Sequence, residues 1–180
     1  MPDPTPLDDF RSEYRRLKRL AERALAQVSD RDFIRSLDPE SNSPAILVKH
    51  MAGNMRSRWR DFMTRDGEKP DRHRDTEFVI GDEDTRESLM ERWQDAWDLT
   101  LRELDGLTDA HLWTSVTIRG EPFTVSRAIA RQLSHYAYHV GQIVQLAKHY
   151  AGDDWKTLSI PKGESDAFNR APTRYREEDK

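Results

Sequence analysis

Four stretches of this 180-residue chain carry apolar side chains at three- and four-residue steps, and each lies between a capping residue and a breaker. That pattern suits amphipathic helices and little else. The first stretch covers residues 6–28. Thr5 is placed to cap it, Pro6 fills the first helical position, and Asp8 and Asp9 complement the positive end of the helix dipole. Phe10, Tyr14, Leu17, Ala21, Ala24 and Val28 form its stripe, and Ser29-Asp30 ends it. The second begins at Ser43-Pro44, runs to about residue 65 with Val48, Met51, Met55, Trp59 and Phe62 on one side, and closes at Asp66-Gly67. The third is expected to start at Asp84, with Glu87 three residues on as the second half of a capping box. Its stripe is Leu89, Trp93, Ala96 or Trp97, Thr100 and Leu104, and Gly106 stops it. Thr124 caps the fourth, which runs from Val125 to about Tyr150 with Gly152 just beyond.

The connections are less regular. Residues 68–83 are polar and without period, so they read as a loop. Residues 116–124 break the helical rhythm as a small hairpin or extended turn around Arg119-Gly120-Glu121-Pro122. Helices of roughly 20 to 26 residues span about 30 to 39 Å, and an all-α four-helix bundle over 1–152 is the expected way to bury four such stripes. Residues 153–180 read as a tail that packs in part on the bundle through Trp155, Leu158 and Ile160. Its end, 174–180, is charged apart from Tyr175 and is expected to be disordered.

Composition narrows the function. No cysteine is present, so there is no disulfide, no thiolate nucleophile and no cysteine-bound zinc. The 29 basic residues are outnumbered by 33 acidic ones, and the Arg-rich run at 56–74 is interleaved with Asp61, Asp66, Glu68 and Asp71. A nucleic-acid partner wants an uncompensated basic patch, so none is expected. Neither a signal peptide nor a membrane span is legible, and a cytoplasmic location is the expectation. Five Trp, five Met and five Tyr exceed what four stripes need, which points to a homodimer. Sedimentation at a single chain's 21.1 kDa would refute that pairing.

The chemistry rests on histidine. His135 and His139 stand four residues apart on the fourth helix, so both imidazoles project from one face, one turn apart, and can share a small cation. At 100° per residue, Ile129, Leu133, Tyr136, Val140, Ile143 and Ala147 gather within about 40° of one line. The two histidines lie roughly 80–120° to its side, beside Ala128 and Gln132, on a flank suited to a cavity wall. On the second helix His50 points about 140° away from the apolar residues, grouped with Gly53, Asn54 and Ser57. A helical Gly53 costs about 1 kcal/mol against alanine, so close approach of a helix or a ligand would explain it; an exposed face is the other reading. His73 falls in the polar loop, His111 before the hairpin, and His149 about 15 Å beyond His139 along the helix, too far to share an ion.

Several segments carry a resemblance. Residues 43–54 (Ser-Pro-Ala-Ile-Leu-Val-Lys-His50-Met-Ala-Gly-Asn54), 57–62, 64–70, 132–143 (Gln132-Leu-Ser-His135-Tyr-Ala-Tyr-His139-Val-Gly-Gln-Ile), 155–163 and Phe168-Asn169 together resemble the DinB/YfiT-like superfamily of metalloenzymes, within a branch of unknown function. The resemblance implies a bundle with up-down-down-up connections. It also implies a divalent metal held by one histidine of the second helix and the His-x-x-x-His of the fourth, which here are His50, His135 and His139. Asn54 and Gln132 are the residues expected to orient a ligand ring or a bound water. Imidazole suits zinc, nickel, copper or iron, with zinc and nickel preferred here.

Three neutral imidazoles with an open position describe a catalytic rather than a structural site. No glutamate stands inside His-Tyr-Ala-Tyr-His, so the metalloprotease pattern is absent, and no nucleophile elbow, phosphate loop or dinucleotide fingerprint occurs. The expected function is a metal-dependent enzyme acting on a small molecule, either a transferase using a low-molecular-weight thiol, as in similar proteins, or a hydrolase. The alternative is a non-catalytic protein that binds a metal or small ligand.

Overall fold

The computed structural model describes residues 4–171. Thr5 opens helix α1 (Pro6–Leu25) with a full capping box: its hydroxyl accepts from the Asp8 amide while the Asp8 carboxylate accepts from the Thr5 amide. After one short turn of helix, α2 (Asp30–Phe33), Ser43 caps α3 (Pro44–Trp59). A long loop containing a 3-10 turn at Arg74–Phe78 leads to α4 (Arg86–Asp105). A second 3-10 turn, Asp109–Trp113, precedes an antiparallel hairpin of β1 (Ser115–Ile118) and β2 (Glu121–Thr124). Thr124 then caps α5 (Val125–Ala151), and a last short helix α6 (Ser165–Arg170) follows. The fold is mostly helical, as expected, with this hairpin as its only sheet among the described residues. No described helix is long and apolar enough to cross a membrane.

The four long helices close a ring of contacts, α1 to α4, α4 to α3, α3 to α5 and α5 back to α1, around one continuous core. Its centre is aromatic. Tyr14 meets Trp59 and Tyr136 edge-on at 5.7 and 5.8 Å, and Trp97 meets Tyr136 at 5.8 Å. Each such pair adds about 0.5–1.5 kcal/mol beyond its buried area. Both Ala96 and Trp97 face inward, which settles the choice the α4 stripe left open.

One hydroxyl ties α3 to α5 inside this core. Tyr136 accepts from Trp59 Nε1 at 3.1 Å and donates to Asn54 Oδ1 at 3.3 Å. Burial pushes the Tyr136 phenol far up, so the proton stays on oxygen. Tyr136→Phe leaves an acceptor and a donor buried without partners, and is expected to cost about 1–3 kcal/mol in urea unfolding. An unchanged midpoint would show that the hydroxyl ties nothing.

Three expectations need correction. The second helix stops at Trp59, not near residue 65: Arg60 is extended and Asp61 adopts the left-handed φ of 53°. Tertiary bonds reward the exit. Ser57 and Arg58 both donate to the Gly67 carbonyl, and the Lys69 amide donates to Ser57 Oγ at 3.1 Å. Phe62 is still buried, but from the turn, which is why the helical spacing ran on past the true end. Helix α3 is also not amphipathic. Twelve of its 16 residues are buried, His50, Asn54 and Ser57 among them, so the exposed-face reading of His50 fails.

The third correction concerns Asp84, which does not cap α4; Thr85 does, accepting from the Ser88 amide. Asp84 is buried and takes Lys49 at 2.5 Å, Arg92 at 3.0 Å and the Gly81 amide at 2.9 Å. Burial alone would raise its pKa, but the Gly81 amide and the two cations hold the carboxyl below its ordinary value. A depressed folded pKa contributes stability above the unfolded value of about 3.9 and loses it as pH falls through the folded one. Asp84→Asn is therefore expected to lower the urea midpoint at pH 6 and to matter much less at pH 3. A penalty equal at both pH values would refute the assignment.

Beyond α5 the chain returns to the body of the molecule. Trp155 and Leu158 pack against the core, and Gln27 exchanges two bonds with the Lys156 backbone at 2.7 and 3.0 Å. Residues 174–180, expected to be disordered, lie outside the described residues.

Candidate metal centre

Because α3 and α5 are neighbours, the buried polar side of α3 meets the flank of α5 that carries the His-x-x-x-His pair. His50, His135 and His139 converge there. Their rings stand 4.6 to 5.5 Å apart between centroids, and one nitrogen from each lies within 4.8 Å of the other two. His50 and His139 are buried and His135 is half-buried.

Outer hydrogen bonds fix which nitrogen each ring presents. His50 Nδ1 lies 2.8 Å from Glu77 Oε2, and His139 Nδ1 lies 2.8 Å from Gln142 Oε1. Both partners are acceptors, so both Nδ1 atoms carry the proton and both Nε2 lone pairs are left for the centre. His135 Nε2 faces His139 Nε2 at 3.1 Å. Two imidazoles on a tetrahedral ion, each about 2.0–2.1 Å away, would hold their nitrogens about 3.3 Å apart.

The protonation states agree. Burial, followed by His139, His50 and nearby guanidiniums, pushes the His135 pKa down to about 3. Burial also lowers His139, against the opposing pull of Gln142 and with some help from His50. Both are neutral at pH 7, the form that binds a metal. The buried three-histidine group can hold a metal ion, and its donor set of uncharged imidazoles suits a borderline-soft divalent cation.

Asn54 and Gln132 are placed differently from each other. Asn54 lies one turn from His50 but bonds Tyr136, so it aligns the two histidine-bearing helices rather than a ring. Gln132 is buried at the site with its amide oxygen unpartnered, and His135 Nδ1 is likewise buried and unpartnered. The two are complementary, a ring N–H and an amide acceptor three residues apart on α5. His73 and His149 stay exposed, and His111 accepts from the Thr108 amide at 2.9 Å to close its own turn.

The residues that orient the histidines were not legible in advance. Glu77 belongs to the loop that showed no period, and it is the group that explains Gly53: a Cβ there would meet the Glu77 carboxylate. Arg72 holds that carboxylate from behind, Nε to Oε1 and NH2 to Oε2, both at 2.8 Å. Burial would raise the Glu77 pKa, but Arg72 and His50 outweigh it, so Glu77 stays ionised. Phe78, next in the turn, lays its ring 4.8 Å from His50.

The family described as a protein of unknown function, DUF1572, matches residues 5–164. The chain belongs to that family. The DUF1572 match spans all three histidines, Glu77 and Gln142. A comparison with curated proteins finds no match.

Proposed function

We propose that this DUF1572 protein is a metal-dependent enzyme of the DinB/YfiT-like kind, with the up-down-down-up bundle of that superfamily, and that His50, His135 and His139 hold a zinc or nickel ion. The observation that carries this reading is the convergence of three imidazoles with two of their outer nitrogens already occupied by Glu77 and Gln142. A divalent ion there supplies Lewis acidity, lowering the pKa of a water or thiol that reaches its open position.

Between the two reactions, thiol transfer is better supported than hydrolysis assisted by a separate base. The cavity in front of the histidines, of about 380 Å³, has no carboxylate among its lining residues. Glu77 is committed to His50 and Arg72 and cannot serve as a free base. A thiol needs only to lose its proton to solvent. The sulfur then bonds to an electrophilic carbon as the leaving group departs with the bonding pair.

Metal analysis is the first test. Purified protein is expected to carry close to one zinc or nickel per chain, and His135→Ala and His139→Ala are expected to lose it with helical circular dichroism intact. Thiol-dependent loss of monochlorobimane then reads transfer. Metal bound without turnover over a panel of electrophiles would establish the non-catalytic binding protein instead.

A further inference from the structure

The cavity before the histidines is walled by five arginines, Arg58, Arg72, Arg74, Arg119 and Arg131, and by no acidic side chain. Two of these are structural. Arg72 is spent on Glu77, and buried Arg58 bonds the Gly67 carbonyl and Glu68. Arg119 shares Glu68 through Nε alone, at 2.7 Å. Among the described residues Arg74 reaches only the exposed carboxylate of Asp75, at 3.7 Å, and stacks 4.8 Å over Phe78, whose ring in turn lies against His50. Arg131, one turn before His135, meets no carboxylate among the described residues; its guanidinium sits 5.5 Å over Phe123. Against five guanidiniums stand the carboxylates of Glu68, Glu77 and the fully exposed Asp75, none of which lines the cavity.

The wall is built rather than incidental. Arg119 and Gly120 both take positive φ, 57° and 76°, the pattern of the tight hairpin turn that normally selects Asn or Gly. Asp66 holds this turn by accepting both amides at 2.8 Å, which fixes Arg119 at the rim. Deeper in, Arg58 Nε is a buried donor without a partner, on a side chain more than nine-tenths buried. A donor of that kind is what an incoming oxyanion satisfies.

We infer that the molecule bound in this cavity is a small anion, with its carboxylate, sulfonate or phosphate held by Arg74 and Arg131 at the mouth and its reactive end against the three histidines. The inference rests on the metal reading for that reactive end, and neutral imidazoles sharpen it. They leave the whole charge of a divalent ion uncompensated, so a neutral substrate would leave the cavity strongly positive.

Cobalt(II)-loaded protein gives the test, since its visible bands respond to a thiolate entering the coordination shell. The probes are 2-mercaptoethanesulfonate and 2-mercaptoethanol, which differ in one charged group that coordinates metals poorly. The sulfonate is expected to bind about tenfold more tightly. An Arg74→Gln/Arg131→Gln variant is expected to keep one cobalt per chain and to bind both thiols equally. Equal affinities in the unaltered protein would overturn the inference, as would a preference that survives in the variant. If cobalt does not bind at all, the metal reading fails on its own, and inorganic phosphate titrated calorimetrically into the metal-free protein decides the rest. Phosphate binding lost in the double arginine variant would uphold the anion site; no binding, or binding the variant retains, would remove it.

Discussion

His50→Ala is expected to reduce metal content from near one ion per chain to background, although His135 and His139 remain one turn apart on α5. Two imidazoles on one helix are a weak chelate, and only the packing of α3 on α5 supplies the third donor. Glu77→Gln is the finer companion. It preserves every ligand but replaces an ionised acceptor on His50 Nδ1 with a neutral one, and loss of such a partner typically weakens metal binding about 10- to 100-fold. Competition with a chromophoric chelator measures both. Retention of full affinity by His50→Ala would dissolve the three-histidine assignment, however well the remaining pair binds.

Gly53→Ala carries the second large effect, and its sign is opposite to the usual one. Alanine in place of glycine inside a helix normally gains up to about 1 kcal/mol. Here the new methyl would lie 2.8 Å from Glu77 Cδ and 3.2 Å from Cγ, so the carboxylate must leave its place. His50 and Arg72 then lose a shared, buried, ionised partner, at a cost of about 1.5–3 kcal/mol for each such bond. The net expectation is destabilisation with weakened metal binding. A double-mutant cycle with Glu77→Ala isolates the cause, because without the carboxylate the alanine at 53 is expected to be neutral or stabilising. A stabilising Gly53→Ala in the otherwise unaltered chain would show that Glu77 has room to move.

What could be read from the chain alone was what depends on near neighbours. Thr5, Ser43 and Thr124 were legible as caps because the groups they bond lie three residues on. The His-x-x-x-His pair was legible because helix geometry alone brings the two rings together. Asp84 misled for the converse reason: it has a capping side chain, but Lys49 of α3 and Arg92, two turns into α4 itself, compete for it, leaving the cap to the next residue. Glu77 was invisible because it reaches His50 from a loop whose course is set by Ser57, Arg58 and Arg72. No local pattern encodes those bonds. Gly53 was its one trace, a residue out of place whose reason lay 24 positions away.

Placing the three histidines on the second and last of the long helices also sets a schedule. During synthesis His50 leaves the ribosome 85 residues before His135, the difference of their positions. At about 5–20 residues per second, that interval lasts roughly 4–17 s. Throughout it the nascent chain carries His50 without the His-x-x-x-His pair that completes the group. The three-histidine group therefore assembles only once α5 has been made and docks. Any ion it takes is chosen by the folded protein from whatever the cell offers at that moment, not gathered along the way.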